Sequence, residues 1–250
     1  MAEGPVETKL LESLKRVRAL FFVLLDPDTS GTAAVIESGL RAARHGADAV
    51  FLGGSFIGNP SFPQIAAAIK KESQVPVILF PGGCSHVTPG PDAILFTSLI
   101  SGRNPQYLID EQVKGAVIVK GLGMEAIPTA YMLVESGRTT AVEYISNTRP
   151  LPADKPAIAA AHAMAAELMG QRWVYLEAGS GAQHPVPTDM VRMVRAAVSL
   201  KVIVGGGIRT PEAAQERVEA GAHAIVVGNH FEAKRDDGLV KEFIAAVHGS

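Results

Sequence analysis

The sequence predicts an α/β fold, a (β/α)8 TIM barrel, on two observations. Short β-branched or aromatic runs alternate with longer amphipathic stretches along the chain, and eight such units fit within 250 residues. An open doubly-wound sheet would show the same alternation, but eight units at this length favour closure into a barrel. The first strand is ALFFVLLD (residues 19–26), followed by a helix over 31–45 with Ser30 as its expected N-cap. ADAVFLGG (47–54) and VPVILFPGG (75–83) are the second and third strands, with a helix over 63–72 between them. The fourth strand is AILFTSLIS (93–101), with a helix over 105–114, and the fifth covers 129–135. An Ala-rich helix spans 154–170 and the sixth strand, WVYLEAGSG, spans 173–181. A helix over 188–198, strand 201–209, helix 211–220, strand 222–230 and helix 232–248 complete the pattern.

One unit breaks the pattern. The stretch between Gly83 and Ala93 is too short, and too rich in Pro and Gly, for a crossover helix, so a loop is expected in place of the third helix. Residues 137–154 form a second long connection, in which a small hairpin is expected. No Pro/Ser-rich linker divides the chain, so residues 1–250 read as one barrel domain.

Composition narrows the function. A net charge of −2 gives no basic surplus for a nucleic-acid backbone. The single cysteine, Cys84, excludes an internal disulfide and a cysteine-based metal cluster, and no neighbouring pattern marks it as a nucleophile. The first residues alternate charge with leucine and lack the apolar core of a secretory signal. No apolar run reaches the ~18 residues of a membrane span. A cytoplasmic protein is expected.

The chemistry concentrates in the last third. Successive strands end in EAGSGA, GGGIR and GNH, and barrel loops after strands seven and eight often hold phosphate. Glycine lets backbone N–H groups approach an anion. Gly179, Ser180, Gly181, Gly206, Gly207, Gly228 and Asn229 are therefore candidates for a phosphate cradle. Asp26 and Asp28 end the first strand in LLDPDTS, where a carboxylate can hold a hard cation, although Asp28 could equally cap the first helix. Ser55 could offer a hydroxyl to metal or diphosphate. Alternation puts Tyr175 and Glu177 on one face of the sixth strand, opposite Leu176 and Ala178, and a carboxylate there could serve as a polyol ligand or base. His162, His184 and His230 read as structural, surface or capping residues.

In this order, LLDPD, FLGGSF, FPGG, FTSLISGRNPQYLI, YLEAGSGA, VGGGIR and VVGNHFE resemble the motifs of the geranylgeranylglyceryl phosphate synthase family over almost the whole chain. The resemblance implies a barrel lacking its third helix. It implies an enzyme that joins the C3 hydroxyl of sn-glycerol 1-phosphate to a prenyl diphosphate, with Mg²⁺, to form an ether lipid precursor. By the same resemblance Asp26 and Ser55 hold Mg²⁺ and diphosphate. Tyr175, Leu176, Glu177, Ala178, Gly179, Ser180 and Gly181 contact glycerol phosphate, and Gly206, Gly207, Gly228 and Asn229 bind its phosphate. Many relatives carry a lysine near the first-strand Asp, whereas Leu24, Leu25, Pro27 and Thr29 stand there here. The resemblance, with the apolar helix over 154–170, also implies a homo-oligomer. Two other functions fit the cradle alone. One is a sugar-phosphate isomerase or aldolase, for which Lys120 is the candidate Schiff-base lysine. The other is a non-catalytic barrel that binds prenyl lipids or phospholipids.

Overall fold

The computed structural model describes residues 3–228 and 237–249. Eight parallel strands close a barrel in sequence order: β1 (Leu20–Leu25), β2 (Ala49–Gly53), β3 (Val77–Phe80), β4 (Ala93–Leu99), β5 (Glu125–Leu133), β6 (Trp173–Glu177), β7 (Lys201–Gly205) and β8 (Ala224–Val227). The helices are α1 (Pro5–Leu14), α2 (Thr32–His45), α3 (Phe62–Glu72), α4 (Glu111–Gly121), α5 (Ala141–Ser146), α6 (Pro156–Leu168), α7 (Thr188–Ala197), α8 (Pro211–Glu219) and α9 (Asp237–His248). Among the described residues no helix is long and apolar enough to cross a membrane.

Alternation along the strands sorts the core into two layers. Leu20, Phe22, Phe51, Ile78, Leu95, Tyr131 and Tyr175 fill the barrel. Phe21, Val23, Leu25, Val50, Leu79, Leu176 and Val204 face the surrounding helices. The expected gap is present: a single 3₁₀ turn, Cys84–His86, lies between β3 and β4. These two strands pair only at Ile78–Ala93 and Leu79–Ile94 before they diverge.

Several expectations need correction. Residues 137–154 hold no hairpin. They carry α5 and one isolated parallel bridge, Val134–Leu151. The fifth strand begins at Glu125 rather than 129, because Glu125 to Ile127 extend the ladder with β4. The helix expected over 105–114 is a π-helical turn, Gln106–Asp110, running into α4. Ser30 does not cap α2: its hydroxyl is buried without a partner, and Gly31 occupies the cap position.

The N-terminal residues, which alternation of charge with leucine left without an assigned element, form α1 and close the barrel floor. Leu10 packs in the inner core. The buried Glu7 carboxylate accepts from Arg172 Nε and from Trp173 Nε1 at 2.9 Å. Glu125 in turn accepts from the first free N–H groups of the helix, those of Val6 and Glu7. In the Ala-rich α6, Ala159, Ala160, Ala163 and Ala166 are buried and let the helix seat closely. Ala161 and Ala165 point outward beside exposed Ile158, Met164 and Leu168.

Candidate active site

A cavity of about 350 Å³ opens at the C-terminal ends of the strands. Asp26, Asp28, Ser55, Glu177 and Ser180 line its polar part, and Leu24, Phe80, Leu95, Leu99 and Tyr131 continue it into the barrel mouth. It is also lined by Val87, Ile94, Phe96, Gly115 and Val119. Of these, Val87, Ile94, Phe96 and Val119 belong to the outer apolar layer. One continuous cavity therefore passes from the barrel mouth through the wall, where β3 and β4 part and no third helix covers them.

Glu177 ends β6 on the inner face, and only 5% of it is exposed. The Gly179 N–H donates to its Oε1 at 2.6 Å. Burial raises its pKa to about 7, against the lowering effect of the Gly179 N–H and of Tyr175. The Tyr175 hydroxyl interacts with this carboxylate but falls short of regular hydrogen-bond geometry, and it is wholly buried behind the cavity lining. Burial first, and then the Glu177 charge, pushes the Tyr131 and Tyr175 hydroxyls well up, so both remain donors at neutral pH. Tyr131 was not singled out from sequence, although the β5–β6 register sets it opposite Tyr175. Phe80 completes the cluster, with ring centroids 5.1 Å from Tyr175 and 5.7 Å from Tyr131.

Gly206 and Gly207 of the cradle are required by space as well as by backbone angle. At Gly206, with φ of 80°, a Cβ would lie 2.2 Å from Glu177 Oε1 and 2.5 Å from the Gly179 nitrogen. At Gly207, with φ of 70°, it would lie 2.9 Å from the Pro185 nitrogen. The loops after β6 and β7 thus pack backbone to backbone around the carboxylate. Leu176 and Ala178, named with the site from sequence, turn their side chains to the outer layer and can reach a ligand only through backbone. Gly228 follows β8 at the same rim, whereas Asn229 and His230 lie outside the described residues.

On the opposite side, Asp26 Oδ1 accepts from the Asp28 N–H at 3.0 Å. Burial and the neighbouring Asp28 charge outweigh that bond and raise the Asp26 pKa. Asp28 does not cap α2; its carboxylate accepts from the Gly58 N–H at 2.7 Å and so holds the loop after β2. Lys120 is exposed on α4, outside the barrel, which removes the residue on which a Schiff-base mechanism would rest. His184 is exposed and His162 bonds to the Ile158 carbonyl within α6, consistent with their non-catalytic assignment.

Residues 12–247 match the PcrB family. The chain belongs to that family. It is 48% identical over 222 residues to a geranylgeranylglyceryl phosphate synthase of Korarchaeum cryptofilum, covering 89% of this chain and 91% of the relative. It is 42% identical to the enzyme of that name from Cenarchaeum symbiosum over 99% of this chain and 100% of the relative. The crystal structure of (S)-3-O-geranylgeranylglyceryl phosphate synthase from Thermoplasma acidophilum, in complex with sn-glycerol-1-phosphate, superposes with a TM-score of 0.92 at 31% identity, covering 100% of both chains. A thiamine phosphate pyrophosphorylase from Pyrococcus furiosus shares the barrel alone, at 14% identity, 94% and 98% coverage and a TM-score of 0.62.

Proposed function

We propose that this protein joins the C3 hydroxyl of sn-glycerol 1-phosphate to a prenyl diphosphate, geranylgeranyl diphosphate first among them. A C–O ether bond forms, the allylic C–O bond to diphosphate breaks, and the hydroxyl proton leaves to a base. The observation that carries this reading is one cavity that runs from the buried Glu177 carboxylate and Ser180, at the edge of the glycine loops, to an apolar cleft through the barrel wall. One end suits a small phosphorylated polyol and the other a hydrocarbon tail.

The chain's own groups divide the work. Backbone N–H groups of Ser180, Gly181, Gly206 and Gly207, with Gly228, hold the phosphate, while that of Gly179 is taken by Glu177. Glu177 takes the C3 hydroxyl proton, and a pKa of about 7 suits that task at neutral pH. The hydroxyl of Tyr131, which lines the cavity, orients the glycerol oxygens, and Tyr175 stands behind Glu177. The ring faces of Phe80 and Tyr131 line the space where the allylic carbon gains positive charge. The apolar cleft excludes water from that carbon.

Mg²⁺ fits the opposite rim. Asp26 is held there by burial and a like-charged neighbour, a strain that a cation would relieve, and Ser55 stands on the same cavity wall. A hard cation of this kind takes few protein oxygens and keeps substrate and water oxygens, so Asp26 and Ser55 would be a sufficient protein donor set. When bound, Mg²⁺ supplies neutralisation of the departing diphosphate. The apolar outer face of α6 supports a homo-oligomer in the same reading.

The test is incubation with radiolabelled sn-glycerol 1-phosphate, Mg²⁺ and prenyl diphosphates of several lengths, followed by organic extraction. Label should enter the organic phase only when a prenyl diphosphate is present. No extractable label with any chain length would overturn the assignment.

A further inference from the structure

The phosphate cradle is built from two loops that must stay in register, and the structure shows what fastens them. Arg209, two residues beyond the Gly206–Gly207 pair, donates from Nη2 to the Ala182 carbonyl at 2.6 Å, and its Nη1 reaches the Gln183 carbonyl at a longer 3.4 Å. Buried Arg217, on α8, donates from Nε to the Val186 carbonyl at 3.1 Å. Both cations come from the β7–α8 unit, and all three acceptors lie in the connection from β6 to α7. From the other side, the N–H groups of Gln183 and His184 both donate to the Ser136 carbonyl at 3.1 Å. The loop that starts at Gly179 is therefore held at its far end from β5 and from β7 at once.

We infer that Arg209 is a positioning residue for glycerol phosphate, acting through the Ala182 and Gln183 carbonyls, with Arg217 fixing the end of the same loop. The inference rests on the functional reading above and deepens it. Gly179 and Gly181 both adopt positive φ, and the Ala182 N–H closes a turn onto the Gly179 carbonyl at 3.1 Å. A glycine-rich segment of this kind has many accessible conformations, and amides aimed at an anion bind it well only when they are aimed in advance. Arg209 ties the residue that closes this turn to the loop carrying Gly206 and Gly207. Its role is to keep the two sets of N–H groups at one spacing. Its shown bonds go to carbonyl oxygens and it does not line the cavity, so it acts through the loop.

The test is calorimetric titration of the full chain and of Arg209→Ala, Arg209→Gln and Arg209→Lys with sn-glycerol 1-phosphate, and separately with geranylgeranyl diphosphate and Mg²⁺. Arg209→Ala should weaken glycerol phosphate about tenfold or more, the scale of a lost charged hydrogen bond. Its affinity for the prenyl diphosphate and its melting temperature should barely change. In turnover, KM for glycerol phosphate should rise while kcat at saturation stays within about twofold. Arg209→Gln, a neutral donor, should recover much of the affinity.

Unchanged glycerol phosphate affinity in Arg209→Ala would overturn the inference. So would an Arg209→Gln variant as weak as Arg209→Ala beside a near-normal Arg209→Lys, which would mean that phosphate feels the charge directly. Equal weakening of both ligands with a lowered melting temperature would reduce Arg209 to a fold-stabilising residue. If the unmodified protein itself takes no glycerol phosphate, the functional reading fails and the inference falls with it.

Discussion

The β5–β7 side and the β3–β4 side of the barrel are built in opposite ways. Strands β4 and β5 run in register from Ala93–Glu125 to Leu99–Tyr131, and β6 and β7 from Trp173–Lys201 to Glu177–Gly205. Strands β3 and β4 part after Leu79–Ile94, with only a 3₁₀ turn between them. On the first side, glycines pressed against neighbouring backbone fix a small polar pocket whose atoms have little freedom. On the second, the absence of a helix leaves an apolar cleft shaped by Val87, Ile94, Phe96 and Val119. A phosphate needs several N–H groups at set positions, so its site has to be rigid. A hydrocarbon tail needs only dry volume and apolar contact, at ~25 cal/mol per Å² buried, so its site can be made by omission.

The residue where the two sides meet should show the largest effect. Glu177→Gln preserves shape but removes the base, and turnover should fall by roughly 10²–10⁴-fold. In the unmodified protein kcat/KM should rise with pH through about 7 and then level, as Glu177 ionises. A flat profile from pH 5.5 to 8 would remove it from proton transfer. The same variant should be more stable than its parent at pH 8. The Glu177 pKa is raised in the folded state, so the folded protein holds the extra proton between the ordinary 4.5 and about 7. Stability then falls as pH rises through that window, by roughly 3 kcal/mol at most. Melting curves should separate at pH 8 and converge below pH 4.5.

Asp26→Asn comes next, with a turnover loss of roughly 10²-fold that added Mg²⁺ does not restore, and with unchanged folding. Full activity at saturating Mg²⁺ would detach Asp26 from the diphosphate side. The smallest effect on chemistry belongs to the outer surface. Ala161→Glu with Ala165→Glu should dissociate an oligomer seen by light scattering at micromolar concentration while leaving turnover within severalfold. An unmodified protein that scatters as a monomer would remove the α6 face from any interface.

The sequence made the closed side far more legible than the open one. Gly206, Gly207 and Gly179 to Gly181 stand out because glycine after a strand has few roles, and the period of two puts Tyr175 and Glu177 on one face. The missing third helix was also readable, since Pro and Gly between residues 83 and 93 forbid one. The direction in which the gap opens was not readable. It depends on Gly115 and Val119 of α4 lying across the cleft from Ile94 and Phe96, which are contacts between distant segments. Helix α1 was missed for a related reason. Its anchor is Glu7 beneath Arg172 and Trp173, and no local pattern announces a buried carboxylate with partners so far along the chain. The hairpin expected over 137–154 gave way to α5, where Thr140 packs beside Gly179 and the Ile145 and Ser146 carbonyls accept from Tyr107 and Asn104, tertiary contacts that local composition does not express.

The independence of the two sides is the central claim, and a crossed titration tests it most directly. Gly207→Val puts side-chain atoms into the backbone of His184 and Pro185. Gly115→Leu, in a helix where leucine is the better former by about 1 kcal/mol, fills the cleft with no backbone obstacle, since a Cβ there meets only Cys84 Cβ at 3.7 Å. Each variant is titrated by calorimetry with sn-glycerol 1-phosphate and with geranylgeranyl diphosphate. Gly207→Val should lose at least tenfold in affinity for glycerol phosphate alone, and Gly115→Leu at least tenfold for the prenyl diphosphate alone. If either variant weakens both ligands equally, the cavity is one coupled site and the account is contradicted.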